Sequence, residues 1–126
     1  MIVDTDVLIW YMRGNRRARA VIERQKALAV SAVSYAELLQ GMRNKQELQD
    51  LRKAFRAWNV RLLYISEDIS AKAIFYIERH FLSKSLTLPD ALICSTAIVH
   101  GESLLTANDR HYRMIKELDL EVFRPD

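Results

Sequence analysis

Four of the sixteen acidic side chains in this chain stand where solvation of a helix face does not explain them. Asp4 follows the apolar pair Ile2-Val3, where a short buried strand should stop. Glu37 is expected in the first turn of the helix after a second strand, and Asp90 in the first turn of a helix opening at Pro89. Asp109 lies just beyond a fourth strand. In a parallel sheet, strand ends and the starts of the following helices share one edge, and ligands bind outside that edge. Three of the acids converge there directly, and Asp90 joins them if its helix starts at the same edge. Carboxylates facing one another repel unless a cation lies between them. Oxygen donors of this kind suit Mg²⁺ or Mn²⁺, with water completing the shell. Taken singly, three of the acids have structural roles open to them. Glu37 stands at capping-box spacing from Ser34, Asp90 is a first-turn acid favoured by the helix dipole, and Asp109 suits a turn or cap. Asp4 is the hardest to assign a structural role, since a structural aspartate rarely ends a buried strand without a partner, and the metal-binding interpretation draws its weight from the four together.

The elements that must position these acids can be read from periodicity. From Asp6 the apolar residues Val7, Leu8, Trp10 and Tyr11 predict a short helix ended by Gly14. Arg16 to Gln25 reads as a weak amphipathic helix, and Ala27 to Val30 as a second strand. With Ser34 as N-cap, Tyr35, Leu38, Leu39 and Met42 repeat at helical spacing. Glu47 to Trp58 is a further helix stopped by Asn59, and Val60 to Ile65 a third strand. Ser66 caps a helix running to about Leu82, and residues 83–87 form a polar connection. Pro89 suits the first turn of a helix that Gly101 stops. Ser103 to Thr106 is the fourth strand. Tyr112, Ile115 and Leu118 mark a last short helix, and Leu120 to Phe123 a fifth strand. Strands alternate with helices and no hairpin signal intervenes. That order predicts one α/β domain over residues 1–126, a parallel sheet of about five strands flanked by helices.

Composition narrows the class. Half of the 126 residues are hydrophobic and only 3 are Gly and 2 Pro, so the chain can bury a core and is not disordered. No apolar run approaches the roughly 20 residues of a membrane span, and no basic region precedes the first apolar residues as in a secretory signal. The lone Cys94, set among Ile93, Ala97 and Ile98, reads as a small core residue and fits a reducing cytoplasm. The net charge of +3 is mild. Its cations cluster, however, at Arg13, Arg16, Arg17, Arg19, Arg24 and Lys26, and again from Arg43 to Arg61. They form either a phosphate-binding surface or the solvated faces of two helices.

At four places the residues resemble one family. Ile2-Val-Asp4-Thr-Asp-Val-Leu-Ile9 looks like the first motif of PIN-domain ribonucleases, and Ser34-Tyr-Ala-Glu37-Leu-Leu-Gln-Gly41 like the second. Leu88-Pro-Asp90-Ala-Leu-Ile93 resembles the third, and Leu104-Leu-Thr106-Ala-Asn108-Asp109-Arg-His-Tyr112 the fourth. Length and motif order are most similar to the VapC-type toxins of toxin–antitoxin operons. The resemblance implies a Mg²⁺- or Mn²⁺-dependent endoribonuclease leaving a 5′-phosphate and a 3′-hydroxyl, often dimeric and held inactive by a cognate antitoxin. It implies Asp4, Glu37, Asp90 and Asp109 as the acidic site, with Asp4, Asp90 and Asp109 holding metal. Thr5, Asp6, Thr106 and Asn108 would support them. Asp6 departs from the Asn or Ser frequent there, and either adds an acid behind the site or only caps the following helix. In the fourth motif, relatives also place an acid three residues past the asparagine. That position is His111 here, so Asn108 competes with Asp109 for the role.

On this view the bound ion lowers the pKa of its water and neutralises phosphoryl charge, Glu37 holds or deprotonates that water, and Arg13, Arg16 and Arg17 hold the RNA backbone. His80, His100 and His111 are expected to be ordinary surface or helix-end residues. Two rivals belong to other classes. Asp4-Thr-Asp6 also resembles the opening of haloacid dehalogenase-like phosphatases, where the first Asp is a nucleophile and the second an acid. Those continue Gly-Thr where this chain has Val-Leu. Alternatively, a non-catalytic binding module could present Trp10, Tyr11, Met42, Phe55 and Trp58 as an interaction surface.

Overall fold

The computed structural model describes residues 1–83 and 85–126; of the predicted polar connection 83–87, Lys84 lies outside them. Five strands form one sheet: β1 (Ile2–Val3), β2 (Ala29–Ser31), β3 (Arg61–Leu63), β4 (Leu104–Thr106) and β5 (Leu120–Val122). Their order is β3-β2-β1-β4-β5 and every pairing is parallel. Among the described residues six helices connect them: α1 (Thr5–Met12), α2 (Arg16–Glu23), α3 (Ala32–Gln40), α4 (Lys45–Ala57), α5 (Glu67–His80) and α6 (Leu88–Val99). The expected parallel α/β sheet of five strands is therefore the observed one, and none of these helices is long and apolar enough to cross a membrane.

Successive strand residues face opposite sides of a sheet, and the chain uses that alternation to build two apolar layers. Val3, Val30 and Leu105 point to one side, where Val7, Leu8, Ile22, Leu38 and Leu51 cover them. Ile2, Ala29 and Leu104 point to the other, beneath Ile93, Cys94, Ala97 and Tyr112. Trp10, Tyr11, Met42, Phe55 and Trp58 pack partly buried against the first layer. Tyr11 meets Trp58 edge-on at 4.5 Å between ring centroids. Cys94 is buried as expected, and burial pushes its thiol up to about 12, so it is inert.

Local boundaries differ from the predicted ones in instructive ways. Ser31, not Ser34, caps α3 by accepting from the Val33 N–H at 3.1 Å, so the helix starts directly on the end of β2. Ser34 is thereby an interior residue, buried with no partner for its hydroxyl among the described residues, and Glu37 lies in the second turn, out of reach of a capping box. Asn44 caps α4, which starts at Lys45, two residues before the expected Glu47. Asp4, not Asp6, caps α1, its carboxylate accepting from the Thr5 N–H. Instead of a last α-helix, Asp109–His111 is a 3₁₀ turn, followed by further three-residue turns. The N–H groups of Tyr112, Ile115 and Leu118 donate to the carbonyls of Asp109, Tyr112 and Ile115. A spacing of exactly three eclipses the side chains of a 3₁₀ turn, whereas an α-helical stripe alternates three and four.

Leu51 is the one fully buried side chain of α4, at 0% exposure, and ties that helix to the first layer. Leu51→Ala should cost about 2–4 kcal/mol of unfolding free energy in urea titration. A loss under about 0.5 kcal/mol, the size expected of a surface position, would show that α4 does not anchor there.

Candidate active site

The site grows from the centre of the sheet. The chain passes from β1 outward through β2 and β3, then returns to place β4 on the other flank of β1. The carboxyl ends of β1 and β4 therefore form the switch point where α/β folds leave a crevice. Val3 pairs with Leu105, and the Asp4 N–H donates to the Leu105 carbonyl at 2.9 Å. Asp4 and Thr106, one residue further along each strand, consequently meet at this edge.

Asp4 is only 5% exposed and is held by three donors. Thr106 Oγ1 donates to Oδ2 at 2.8 Å and Tyr112 Oη to the same atom at 3.0 Å, while the Thr5 N–H donates to Oδ1 at 2.8 Å. Even so, burial, together with the nearby charge of Asp6, pushes the Asp4 carboxyl from its ordinary 3.8 up to about 7. The hydrogen bonds oppose that rise without cancelling it, so the buried charge lacks a counter-ion. Asp6 is raised as well, again mainly by burial. It accepts from the Ala107 N–H at 2.9 Å and so ties α1 to the segment after β4.

Asp90 reaches the same place from the first turn of α6. Its Oδ1 lies 3.2 Å from Tyr112 Oη, so one phenol bridges Asp4 and Asp90. A hydroxyl carries one proton and cannot satisfy both carboxylates at once. Burial and the two acids hold the Tyr112 phenol far above its ordinary range, so it stays protonated. The other Asp90 oxygen, Oδ2, is buried and has no hydrogen-bond donor among the described residues. His111 Nδ1 lies 3.2 Å from it, but not in line for a hydrogen bond. Glu37 is held by the residue after Asp4: Thr5 Oγ1 donates to its Oε1 at 2.7 Å. Glu37 also lines a cleft of about 690 Å³ with Ile9, Met12, Arg13, Met42 and Arg43.

The fourth expected acid is turned elsewhere. Asp109 is buried, but its Oδ1 accepts from Arg124 at 2.9 Å and its Oδ2 from Arg113. The Arg124 hydrogen bond, helped by Arg113, lowers its carboxyl to about 2. Both oxygens serve the arginines, and the structure does not bring Asp109 to Asp4 and Asp90. Asn108 is exposed, and its backbone N–H donates to Thr106 Oγ1 at 3.0 Å. Arg13 is exposed at the end of α1 and reaches the cleft, whereas Arg16 and Arg17 lie in the open on the first turn of α2. Tyr112 and His111 are the contacts that sequence reasoning passed over. The available signal was a tyrosine at a position spaced like a core residue, since a buried phenol needs a polar partner.

The residues fit a hard divalent cation. Two carboxylates from separate elements meet at one hydroxyl, one of their oxygens is buried without a donor, and the charge of Asp4 is uncompensated. Among the described residues no three His, Cys, Asp or Glu side chains already form a cage, so the donors in place are this pair, while Glu37 is held by Thr5, the residue after Asp4.

The raised Asp4 carboxyl has a consequence for stability. The folded chain holds this proton more tightly than the unfolded chain, so the associated stability is complete below pH 3.8 and is lost as pH rises through about 7. With chelator present, Asp4→Asn should therefore raise the unfolding midpoint by a few degrees at pH 8. The gain should close toward pH 4; an offset equal at both pH values would refute the assignment.

Comparison with known proteins agrees with this geometry. The PIN-domain family profile matches residues 1–117. Ribonuclease VapC10 of Mycobacterium tuberculosis is 35% identical over 124 residues, covering 94% of this chain and 90% of that protein. Ribonuclease VapC1 of Methanocaldococcus jannaschii is 27% identical, covering 98% and 86%. In a toxin–antitoxin complex from Klebsiella pneumoniae, one chain superposes with a TM-score of 0.80 at 27% identity, covering 99% of this chain and 97% of that one. By sequence, fold and the convergence of acids at its central strand ends, the chain belongs to the PIN-domain family, among its VapC-type members.

Proposed function

We propose that this chain, acting as one domain over residues 1–126, is a divalent-metal-dependent endoribonuclease and the toxin of a toxin–antitoxin pair. The observation that carries this is the meeting of Asp4 and Asp90 at one hydroxyl, with Asp90 Oδ2 buried and undonated. The relatives named ribonuclease and the neighbour solved as a toxin–antitoxin complex support the same function. They also favour an antitoxin as partner, in the reducing cytoplasm that the lone buried Cys94 suits. A homodimer agrees with the family resemblance.

Asp4 and Asp90 would hold the ion, Mg²⁺ or Mn²⁺, and Glu37 would stand close enough to orient water on it. When bound, the ion supplies an activated water and charge neutralisation on the scissile phosphate. The protein does the rest. Thr106 and Tyr112 fix the orientation of Asp4, and Thr5 fixes that of Glu37. Glu37 would accept a proton from the attacking water as the P–O3′ bond breaks, and the departing 3′-oxygen would take a proton from solvent, leaving a 5′-phosphate and a 3′-hydroxyl. Asp109 acts at a distance, holding the turn after β4 through Arg113 and Arg124. Asp6 binds the Ala107 N–H, a task that an amide oxygen performs equally well, and it is not positioned as a phosphatase acid. Arg13, in the cleft beside Glu37, is the cation best placed for an RNA phosphate, with Arg16 and Arg17 extending the basic surface beyond it.

Incubation of the purified protein with RNA and Mn²⁺, followed by end mapping, tests this. Asp4→Ala and Asp90→Ala should each lower kcat at least ~100-fold, a loss typical of removing preorganised electrostatic groups. Asp6→Asn should stay within about tenfold of wild type, the lower bound for losing a supporting residue. Intact RNA with wild-type protein, or full activity in Asp90→Ala, would sink the proposal. Arg13→Ala should weaken RNA binding and lower the slope of log affinity against log salt by about 1. An unchanged slope would place the RNA elsewhere.

A further inference from the structure

The segment after β4 is where the chain departs from the expected acidic pattern. Asp109 is drawn away by Arg124 and Arg113, and the 3₁₀ turn it opens carries the chain around to His111 and Tyr112. Tyr112 then passes beneath Asp4 and Asp90 and fills the second apolar layer. His111 lies beside Asp90, its Nδ1 3.2 Å from the one Asp90 oxygen that receives no hydrogen bond among the described residues. The side chain is 45% exposed, so the imidazole borders both the acids and solvent. Two nearby groups with donor character leave this oxygen unserved: the phenol is directed to Oδ1 and Asp4, and the imidazole is out of line. A separation of 3.2 Å without a hydrogen bond is the spacing of two ligands side by side on one ion.

We propose that His111 supplies a nitrogen ligand to the divalent ion held by Asp4 and Asp90, and so biases the site toward Mn²⁺ over Mg²⁺. The inference rests on the metal-dependent function proposed above and goes beyond it in assigning a ligand and an ion preference. Mg²⁺ is hard, keeps its waters and takes oxygen donors. Imidazole favours transition ions over Mg²⁺ when it replaces an oxygen ligand. The turn that withholds Asp109 thus puts a nitrogen where a fourth carboxylate was expected, and the donor set becomes mixed.

The test is Mn²⁺ binding followed by electron paramagnetic resonance, with spin-echo modulation reporting any nitrogen on the ion. It compares wild type, His111→Gln and His111→Asp, each checked for folding by circular dichroism. Wild type should show nitrogen modulation that is absent in His111→Gln, and His111→Gln should bind Mn²⁺ about tenfold more weakly, a loss in the range for impaired metal shells. His111→Asp should restore Mn²⁺ binding without nitrogen modulation and narrow the gap between Mn²⁺ and Mg²⁺ affinities. His80 and His100 lie at the ends of α5 and α6, so modulation that persists in His111→Gln would come from elsewhere and overturn the assignment. So would Mn²⁺ that binds in an Asp90-dependent way without nitrogen coupling, and in that case the nuclease proposal would survive. Failure of wild-type protein to bind Mn²⁺ at all would overturn both.

Discussion

A carboxylate buried at the end of the central strand, with its charge incompletely compensated, governs the rest of this structure. Asp4 is at the carboxyl end of β1, which has a parallel neighbour on each side. Its position is therefore deep in the molecule, and water cannot solvate it as it would a surface acid. Three hydrogen bonds orient it, from Thr5, Thr106 and Tyr112, yet its carboxyl remains raised to about 7 by burial and by Asp6. Proteins do not generally retain such a group for stability, since unpaired buried charge is costly. On the proposed function, a cation supplied from solution would remove the conflict, and the surrounding donors would hold the oxygens in place for it.

The neighbours of Asp4 are arranged by the sheet and by α6. Register alone puts Thr106 beside it, because Val3 and Leu105 are partners and each chain continues by one residue. Asp90 arrives from the start of α6, which Thr87 caps and Pro89 helps to open. The buried face of that helix, from Ala91 through Ile93, Cys94 and Ala97, packs into the second apolar layer and fixes its starting point. The position of the Asp90 carboxylate thus depends on apolar contacts made within the next two turns of the helix. The turn after β4 depends likewise on Arg124, beyond the last strand, which binds both Asp109 and the Ala107 carbonyl.

Glu37 illustrates how a single boundary changes a residue's meaning. Placed in a first turn behind Ser34, it could have been a cap. With Ser31 as the cap, α3 starts three residues earlier, and Glu37 lies one turn further in, facing Thr5. The capping-box role disappears, and what remains is an acid beside Asp4. Both serines fit the cap preference equally well. Which one serves was decided by where β2 ends.

The alternation of apolar runs and the absence of hairpin signals were sufficient, in the sequence alone, to establish a parallel α/β sheet, and the acid after the first strand marked the edge at which Asp4 and Asp90 meet. These are local properties: residue type, period and punctuation act within a few positions, and they do not depend on distant partners. The sequence also singled out Asp4, Glu37 and Asp90, because an acid next to a buried element is conspicuous wherever the element packs. The direction of side chains in the segment 107–112 was decided only by the tertiary structure. There Asp109, His111 and Tyr112 compete for the same few ångströms, and the outcome turns on Arg113, Arg124 and the apolar layer that receives the tyrosine ring. Irregular backbone has no period to read, so its side chains take their orientation from whatever the fold brings against them.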